Sequence, residues 1–311
     1  MIFSCDSTWR VVNLINNKQL KTIEIASHSG FCYGVKRAVE TTKKIKLDNP
    51  NKNIFVLGEL IHNSKVIEEL NELGIKTVDV LENPAPKDSI CIIRSHGASI
   101  NLIEEIKDMG YEVVDLTCLD VKKVQDKAVS IVRDGYFLII LGKEEHPEVV
   151  AIASNAKKFA NDEKEVLVVK SLDELIEKED LIKEKKKIGV VVQTTQKIEL
   201  LKEVVNYLIS KAKELKIINT ICHSTNLRQN EAKEMGKKSD LMVVVGSKNS
   251  ANTTHLFEIL KDITSTIFIE DENELENYKS LVQKSNHIGI TAGASTPDYL
   301  IKKIEEKLKT I

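Results

Sequence analysis

His28-Ser29-Gly30-Phe31-Cys32-Tyr33-Gly34-Val35-Lys36-Arg37-Ala38-Val39, Val113-Val114-Asp115-Leu116-Thr117-Cys118-Leu119-Asp120-Val121-Lys122-Lys123-Val124 and Ile217-Ile218-Asn219-Thr220-Ile221-Cys222-His223-Ser224-Thr225-Asn226-Leu227-Arg228-Gln229 read as one pattern written three times. In each, a short apolar strand leads to a cysteine, and a helix-forming run with a basic residue four to six places on follows it. A second element recurs downstream: residues 54–58, 137–142 and 241–246 are continuous apolar strands ending in Gly58, Gly142 and Gly246. A polar turn and a helix come next, the turns being 59–63, 143–148 and 247–252, and a further strand closes each unit at 90–97, 188–195 and 288–297.

Repetition at a long period marks repeated supersecondary units. Each unit reads β-α-β-α-β, and strands that are apolar from end to end suit a parallel sheet covered on both faces. Helical periodicity in stretches such as 64–73 and 254–261 supplies the cover. The fold expected is α/β: three pseudo-threefold-related units with parallel sheets at 22–116, 117–217 and 218–311, the last with a C-terminal helix. Residues 1–21 form an N-terminal extension with no assigned role. In open α/β sheets, ligands bind outside the carboxyl ends of the strands, and every cysteine, histidine and Ser/Asn cluster of the repeats lies there. Units facing a common centre would bring three thiolates together.

Composition narrows the function. The 311 residues are 42% hydrophobic and 30% charged with net charge −2, which provides a sizeable core and no basic footprint for nucleic acid or an anionic membrane. No segment approaches the roughly 18 apolar residues of a membrane span, and residues 1–21 lack the apolar stretch of a secretory signal. Five cysteines without disulfide-like spacing point to a reducing cytoplasm. The run 183–187 is a solvated, lysine-rich loop edge.

Three thiolates suit a zinc ion or an iron–sulfur cluster. A structural zinc site closes with a fourth ligand, usually through a short Cys-x2-Cys pair, and none exists here. A 4Fe-4S cluster on Cys32, Cys118 and Cys222 leaves one iron open as a Lewis acid beside an electron store. A lone cysteine after a strand is more often a small buried hydrophobe, but triple repetition argues against that for the set. Cys91, inside an apolar strand, reads as core, and Cys5 gives no signal. His62, His96 and His146 can donate to anionic oxygens, and Asn249, Ser250, Asn252, Ser295, Thr296, Thr194 and Thr195 add neutral donors. Any one of these hydroxyls alone would read as a helix cap; together they suit a diphosphate beside helix N-termini. Glu148 is the carboxylate among them, a proton donor if burial raises its pKa.

The motifs Gly30-Phe31-Cys32-Tyr33-Gly34-Val35-Lys36-Arg37-Ala38, Leu60-Ile61-His62-Asn63, Arg94-Ser95-His96-Gly97, Asp115-Leu116-Thr117-Cys118, His146-Pro147-Glu148-Val149, Gln193-Thr194-Thr195, Thr220-Ile221-Cys222 with Arg228-Gln229, and Thr291-Ala292-Gly293-Ala294-Ser295-Thr296-Pro297 resemble, in order, those of the 4-hydroxy-3-methylbut-2-enyl diphosphate reductase (IspH/LytB) family. The resemblance implies three α/β units around a central 4Fe-4S cluster held by Cys32, Cys118 and Cys222. It implies diphosphate binding by His62, His96, Ser250, Asn252 and Ser295 with His146 nearby, proton delivery by Glu148, and substrate positioning by Thr194. It also implies isopentenyl and dimethylallyl diphosphate as products and a ferredoxin or flavodoxin as electron donor. Leu119 stands where the family usually has Pro, Ala251 where it often has Ser, Val192 for Thr and Asn219 for Asp. Two other readings remain at this level: a colourless zinc-dependent hydrolase with Glu148 as base, and a non-enzymatic iron–sulfur sensor.

Overall fold

A computed structural model describes residues 10–16 and 19–311. Among these, the strands are β1 (Arg10–Asn16), β2 (Gln19–Ile25), β3 (Asn53–Leu57), β4 (Ile75–Val78), β5 (Ser89–Ile93), β6 (Glu112–Asp115), β7 (Phe137–Leu141), β8 (Val166–Val169), β9 (Lys187–Val192), β10 (Glu214–Ile217), β11 (Leu241–Val245), β12 (Ser265–Ile269) and β13 (His287–Ala292). They form three sheets whose parallel parts share one order: β4-β3-β5-β6, β8-β7-β9-β10 and β12-β11-β13-β2. The central strands β5, β7 and β11 are buried along their whole length, as sheets covered by helices on both faces require. Burying a side chain such as Ile139 or Val243, each with no exposure, contributes about 1.5–3 kcal/mol.

Two features depart from the sequence expectation. Each sheet has four parallel strands, because β4, β8 and β12 add an edge to the three-strand reading. The boundary at residue 22 also assigns β2 to the first unit, whereas β2 pairs with β13 of the last: Thr22 lies opposite His287, Ile23 opposite Ile288 and Ile25 opposite Ile290. Ile23 has no exposure and packs with Leu241, Ile288 and Ile290, so burial beside the open edge of β13 decides the pairing. Residues 10–16, part of the extension left without a role, form an antiparallel strand on β2. Cys5 lies outside the described residues.

The described residues divide into two compact units. One takes the chain through Cys32 together with His62–Ser64 and His223–Ile311; the other takes Tyr33–Ile61 and Lys65–Cys222. The second contains two of the sheets, whose helices meet where Ile100 N–H donates to Asn155 Oδ1 at 2.7 Å. Among the described residues, no helix is long and apolar enough to cross a membrane.

One hydrogen bond recurs in all three sheets. The glycine after the first strand donates its N–H to the last residue of the second: Gly58 to Val78 O at 2.8 Å, Gly142 to Val169 O at 2.9 Å and Gly246 to Ile269 O at 3.0 Å. The strand order reverses between first and third strands, and a crevice opens at such a reversal on the carboxyl side. His62 and His96 follow β3 and β5; His146 and Thr194 follow β7 and β9; Ser250 and Ser295 follow β11 and β13.

Candidate active site

Cys32, Cys118 and Cys222 each stand directly before a helix, namely Tyr33–Asp48, Leu119–Arg133 and His223–Gly236. Their backbones make one common bond: Cys118 N–H donates to Ser95 O at 2.9 Å, Cys222 to Thr194 O at 3.0 Å and Cys32 to Ala294 O at 3.2 Å. Each acceptor belongs to the turn after the third strand of a sheet, so the three positions are structurally equivalent. All three cysteines are partly exposed and outside any disulfide. This donor set fits a group held by thiolates, such as an iron–sulfur cluster. Cys91 differs: it has no exposure, and burial pushes its thiol up to about 11, as its core placement requires.

The turns before the cysteines are held by local bonds. Asp115 Oδ1 accepts from Thr117 N–H at 2.9 Å, and Asn219 Oδ1 accepts from Ile221 N–H at 3.2 Å. Asn219 thus does the same turn-forming work as Asp115, since either side chain supplies the oxygen.

Within the larger compact unit, His146 caps the helix Pro147–Phe159 by accepting Glu148 N–H on Nδ1 at 3.2 Å. That bond leaves the proton of the neutral ring on Nε2. Pro147 lacks an N–H at a helix position that would leave one unbonded, so it fits there. His96 meets His146 edge-to-face, with ring centres 5.4 Å apart.

Glu148 is 1% exposed and accepts from Thr194 N–H and Thr194 Oγ1, each at 2.7 Å. Burial pushes its carboxyl up to about 7 against the opposing pull of the two Thr194 donors. A group titrating there holds and releases a proton near neutrality, as an acid catalyst must. Because Thr194 O also accepts from Cys222 N–H, Glu148, Thr194 and Cys222 form one continuous bonded path.

The other unit carries a polar cluster of its own. Ser250 holds the N-cap position of the helix Ala251–Lys261, yet its hydroxyl makes no capping bond. Asn252 is 3% exposed, and neither its Oδ1 nor its Nδ2 has a partner. A buried amide left unbonded costs about 1–3 kcal/mol, which a polar ligand would recover, and the helix N-terminus selects for an anion. Ser295 Oγ donates to His62 O at 3.0 Å, tying the turn after β13 to His62. Gly246, at φ +143°, lines the same turns; a Cβ there would lie 2.6 Å from Thr296 Oγ1. Asn249 is not in this buried group: it is exposed, and its N–H donates to Ser247 Oγ within the turn.

Several residues that shape the site were not singled out from sequence. Arg37 Nη2 donates to Thr117 O at 2.6 Å and holds the loop before Cys118. Buried Arg228 donates to Gly30 O at 2.7 Å, and Glu231 on the same helix accepts from the N–H groups of Ser27 and His28. Together they clamp the loop before Cys32. The basic residue after each cysteine was a visible signal; its long-range partner was not. Thr253 and Thr291 are fully buried with unbonded hydroxyls; Thr291 opens the last of the matching motifs, whereas Thr253 gave no sequence signal.

Residues 23–309 match the model of the family described as LytB protein. A protein of Clostridium tetani named 4-hydroxy-3-methylbut-2-enyl diphosphate reductase is 40% identical over 91% of this chain, and the chain spans 42% of that protein's length. A Helicobacter pylori protein of the same name is 37% identical over 93% of this chain and 99% of its own. A solved structure of (E)-4-hydroxy-3-methyl-but-2-enyl diphosphate reductase, the terminal enzyme of the non-mevalonate pathway, superposes with a TM-score of 0.67 at 35% identity. It covers 92% of this chain and 98% of its own.

Proposed function

The chain belongs to the LytB protein family, and we propose that it reductively removes the hydroxyl of 4-hydroxy-3-methylbut-2-enyl diphosphate. Water leaves, and isopentenyl and dimethylallyl diphosphate form, the last step of non-mevalonate isoprenoid precursor synthesis. The observation that carries this reading is the path from Glu148 through Thr194 to Cys222: a buried acid titrating near 7 beside a cysteine suited to an electron-transferring group. The relatives' names, all of reductases, favour this reading over a zinc hydrolase or a sensor.

Cys32, Cys118 and Cys222 would hold a 4Fe-4S cluster, which when bound supplies electrons and a Lewis-acidic iron. The chain's own residues do the rest. His62, His96, Ser250, Asn252 and Ser295, with His146, bind the diphosphate; Asn249 contributes through the shape of its turn. Thr194 orients the substrate hydroxyl, and Glu148 supplies its proton through the Thr194 hydroxyl. The reaction consumes two electrons and two protons. One proton leaves with the hydroxyl as water, and the other ends on carbon as the allylic system is reduced. A ferredoxin or flavodoxin provides the electrons.

The test is anaerobic oxidation of a reduced viologen by cluster-reconstituted protein, with and without the hydroxymethylbutenyl diphosphate. Substrate-dependent oxidation that yields the two five-carbon diphosphates is expected. No oxidation by protein with full iron content would reject the activity.

The diphosphate assignment makes its own prediction. Ala251 is buried at the first position of its helix, where the family often has Ser. Ala251→Ser is expected to lower KM about 2- to 10-fold through one added hydrogen bond of roughly 0.5–1.5 kcal/mol, with kcat unchanged. An unaltered KM would count against a diphosphate at this turn.

A further inference from the structure

The three cysteines share a backbone geometry but not their neighbours. The residues that follow them are Tyr33, Leu119 and His223. Leu119 offers no donor. Tyr33 does, and to a different cysteine from the one it follows: its hydroxyl oxygen lies 3.7 Å from Cys118 Sγ, within hydrogen-bond range for sulfur. With Cys118 as a thiol, Sγ–H donates to the phenol oxygen. Once Cys118 is a thiolate, which has no proton to give, the direction reverses and the phenol O–H is shared between Cys118 Sγ and the Asp120 carboxylate, its other hydrogen-bond partner. A tyrosine keeps its proton at neutral pH, since its ordinary pKa is about 10.

Hydrogen bonds to ligand sulfurs are among the protein's levers on a cluster's reduction potential. Reduction adds negative charge that is partly borne by the sulfurs, so a donor there stabilises the reduced form more than the oxidised one. Tyr33 is 49% exposed, so its ring is not a core element whose loss would collapse the fold. The helix Tyr33–Asp48 that carries it is fixed independently, by Arg37 on Thr117 O.

We propose that Tyr33 is a tuning residue that raises the reduction potential of the bound cluster by donating a hydrogen bond to Cys118 Sγ. The inference rests on the iron–sulfur reading above and concerns one ligand of the three. Its consequence is that the first electron enters more easily, and weaker reductants can sustain turnover.

The experiment compares wild type with Tyr33→Phe after anaerobic reconstitution, measuring iron and sulfide and then the midpoint potential by a redox titration followed by electron paramagnetic resonance. Equal iron content and a more negative potential in Tyr33→Phe are expected. Turnover with a weakly reducing dye should fall, while turnover with a strongly reducing one should hold. Tyr33→3-fluorotyrosine, a stronger donor still protonated at pH 7, should move the potential the other way. Identical potentials in proteins with full clusters overturn the inference alone. A Phe variant that loses the cluster makes Tyr33 structural and overturns it too, whereas wild type that takes up no iron overturns the iron–sulfur reading along with it.

Discussion

Glu148→Gln is expected to take up iron at the wild-type level and to lose turnover by about 10²- to 10⁴-fold, the usual contribution of a positioned general acid. Glutamine is close to isosteric, and its Oε1 can still accept from Thr194 N–H, so the turn that also bonds Cys222 is kept. What is lost is the transferable proton. The assay is substrate-dependent dye oxidation beside iron analysis, and undiminished turnover would remove Glu148 from the chemistry. Wild-type turnover should also fall as pH rises through about 7, because the acid form of Glu148 is then depleted. The same group makes a prediction about stability with the opposite sign to the usual carboxylate. Its folded pKa of about 7 lies above the ordinary 4.5. Below pH 4.5 both folded and unfolded states are protonated, and no penalty exists. The penalty grows between 4.5 and 7 and is complete above 7, on the order of 3 kcal/mol. Metal-free Glu148→Gln should therefore melt above wild type at pH 8 and together with it at pH 4. A wild type that melts higher at pH 8 would contradict the buried, uncompensated carboxylate.

Cys118→Ser is expected to abolish retention of a full cluster, and turnover with it. A serine hydroxyl is a poor iron ligand, whereas cysteine sulfur is the usual holder of iron–sulfur clusters. Cys91→Ser is the control. Cys91 has no exposure and lies in the middle of β5, so burying a hydroxyl there should cost about 1–3 kcal/mol of stability and leave iron content unchanged. Iron and sulfide analysis with a melting curve separates the two. A full cluster in Cys118→Ser, or its loss in a folded Cys91→Ser, would break the assignment.

Much of this arrangement was legible in the chain. Triple cysteines, glycine-ended apolar strands and polar turns repeat because parallel strands buried on both faces must be apolar throughout, while the carboxyl-end turns are free to carry chemistry. The second strand of each sheet was harder to see. Ile75-Lys76-Thr77-Val78 is a four-residue edge with one fully buried side chain, too short and too mixed to show a period. Glu148 and Thr194 could each be picked out from sequence, but their hydrogen bond could not, since it joins turns 46 residues apart. The partners of Arg228 and Glu231 were opaque for the same reason, lying in the Cys32 loop about 200 residues earlier. Asn249 shows the converse: a polar residue in the right turn whose side chain ends up in solvent.

The pairing of β2 with β13 also sets an order of assembly. During synthesis β2 emerges about 265 residues before β13, its hydrogen-bonding neighbour. The two sheets of residues 53–217 can close while translation continues, because all their strands are already present. The remaining sheet can only wait. Cys32, whose N–H is fixed on Ala294 O, is thus the first of the three thiols to be made and the last to be seated. A chain stopped short of β13 should leave β2 open to proteases while the middle of the protein resists them. Maturation of such a protein belongs after β13 has been made, with β2 acting as a clasp that shuts on the last sheet.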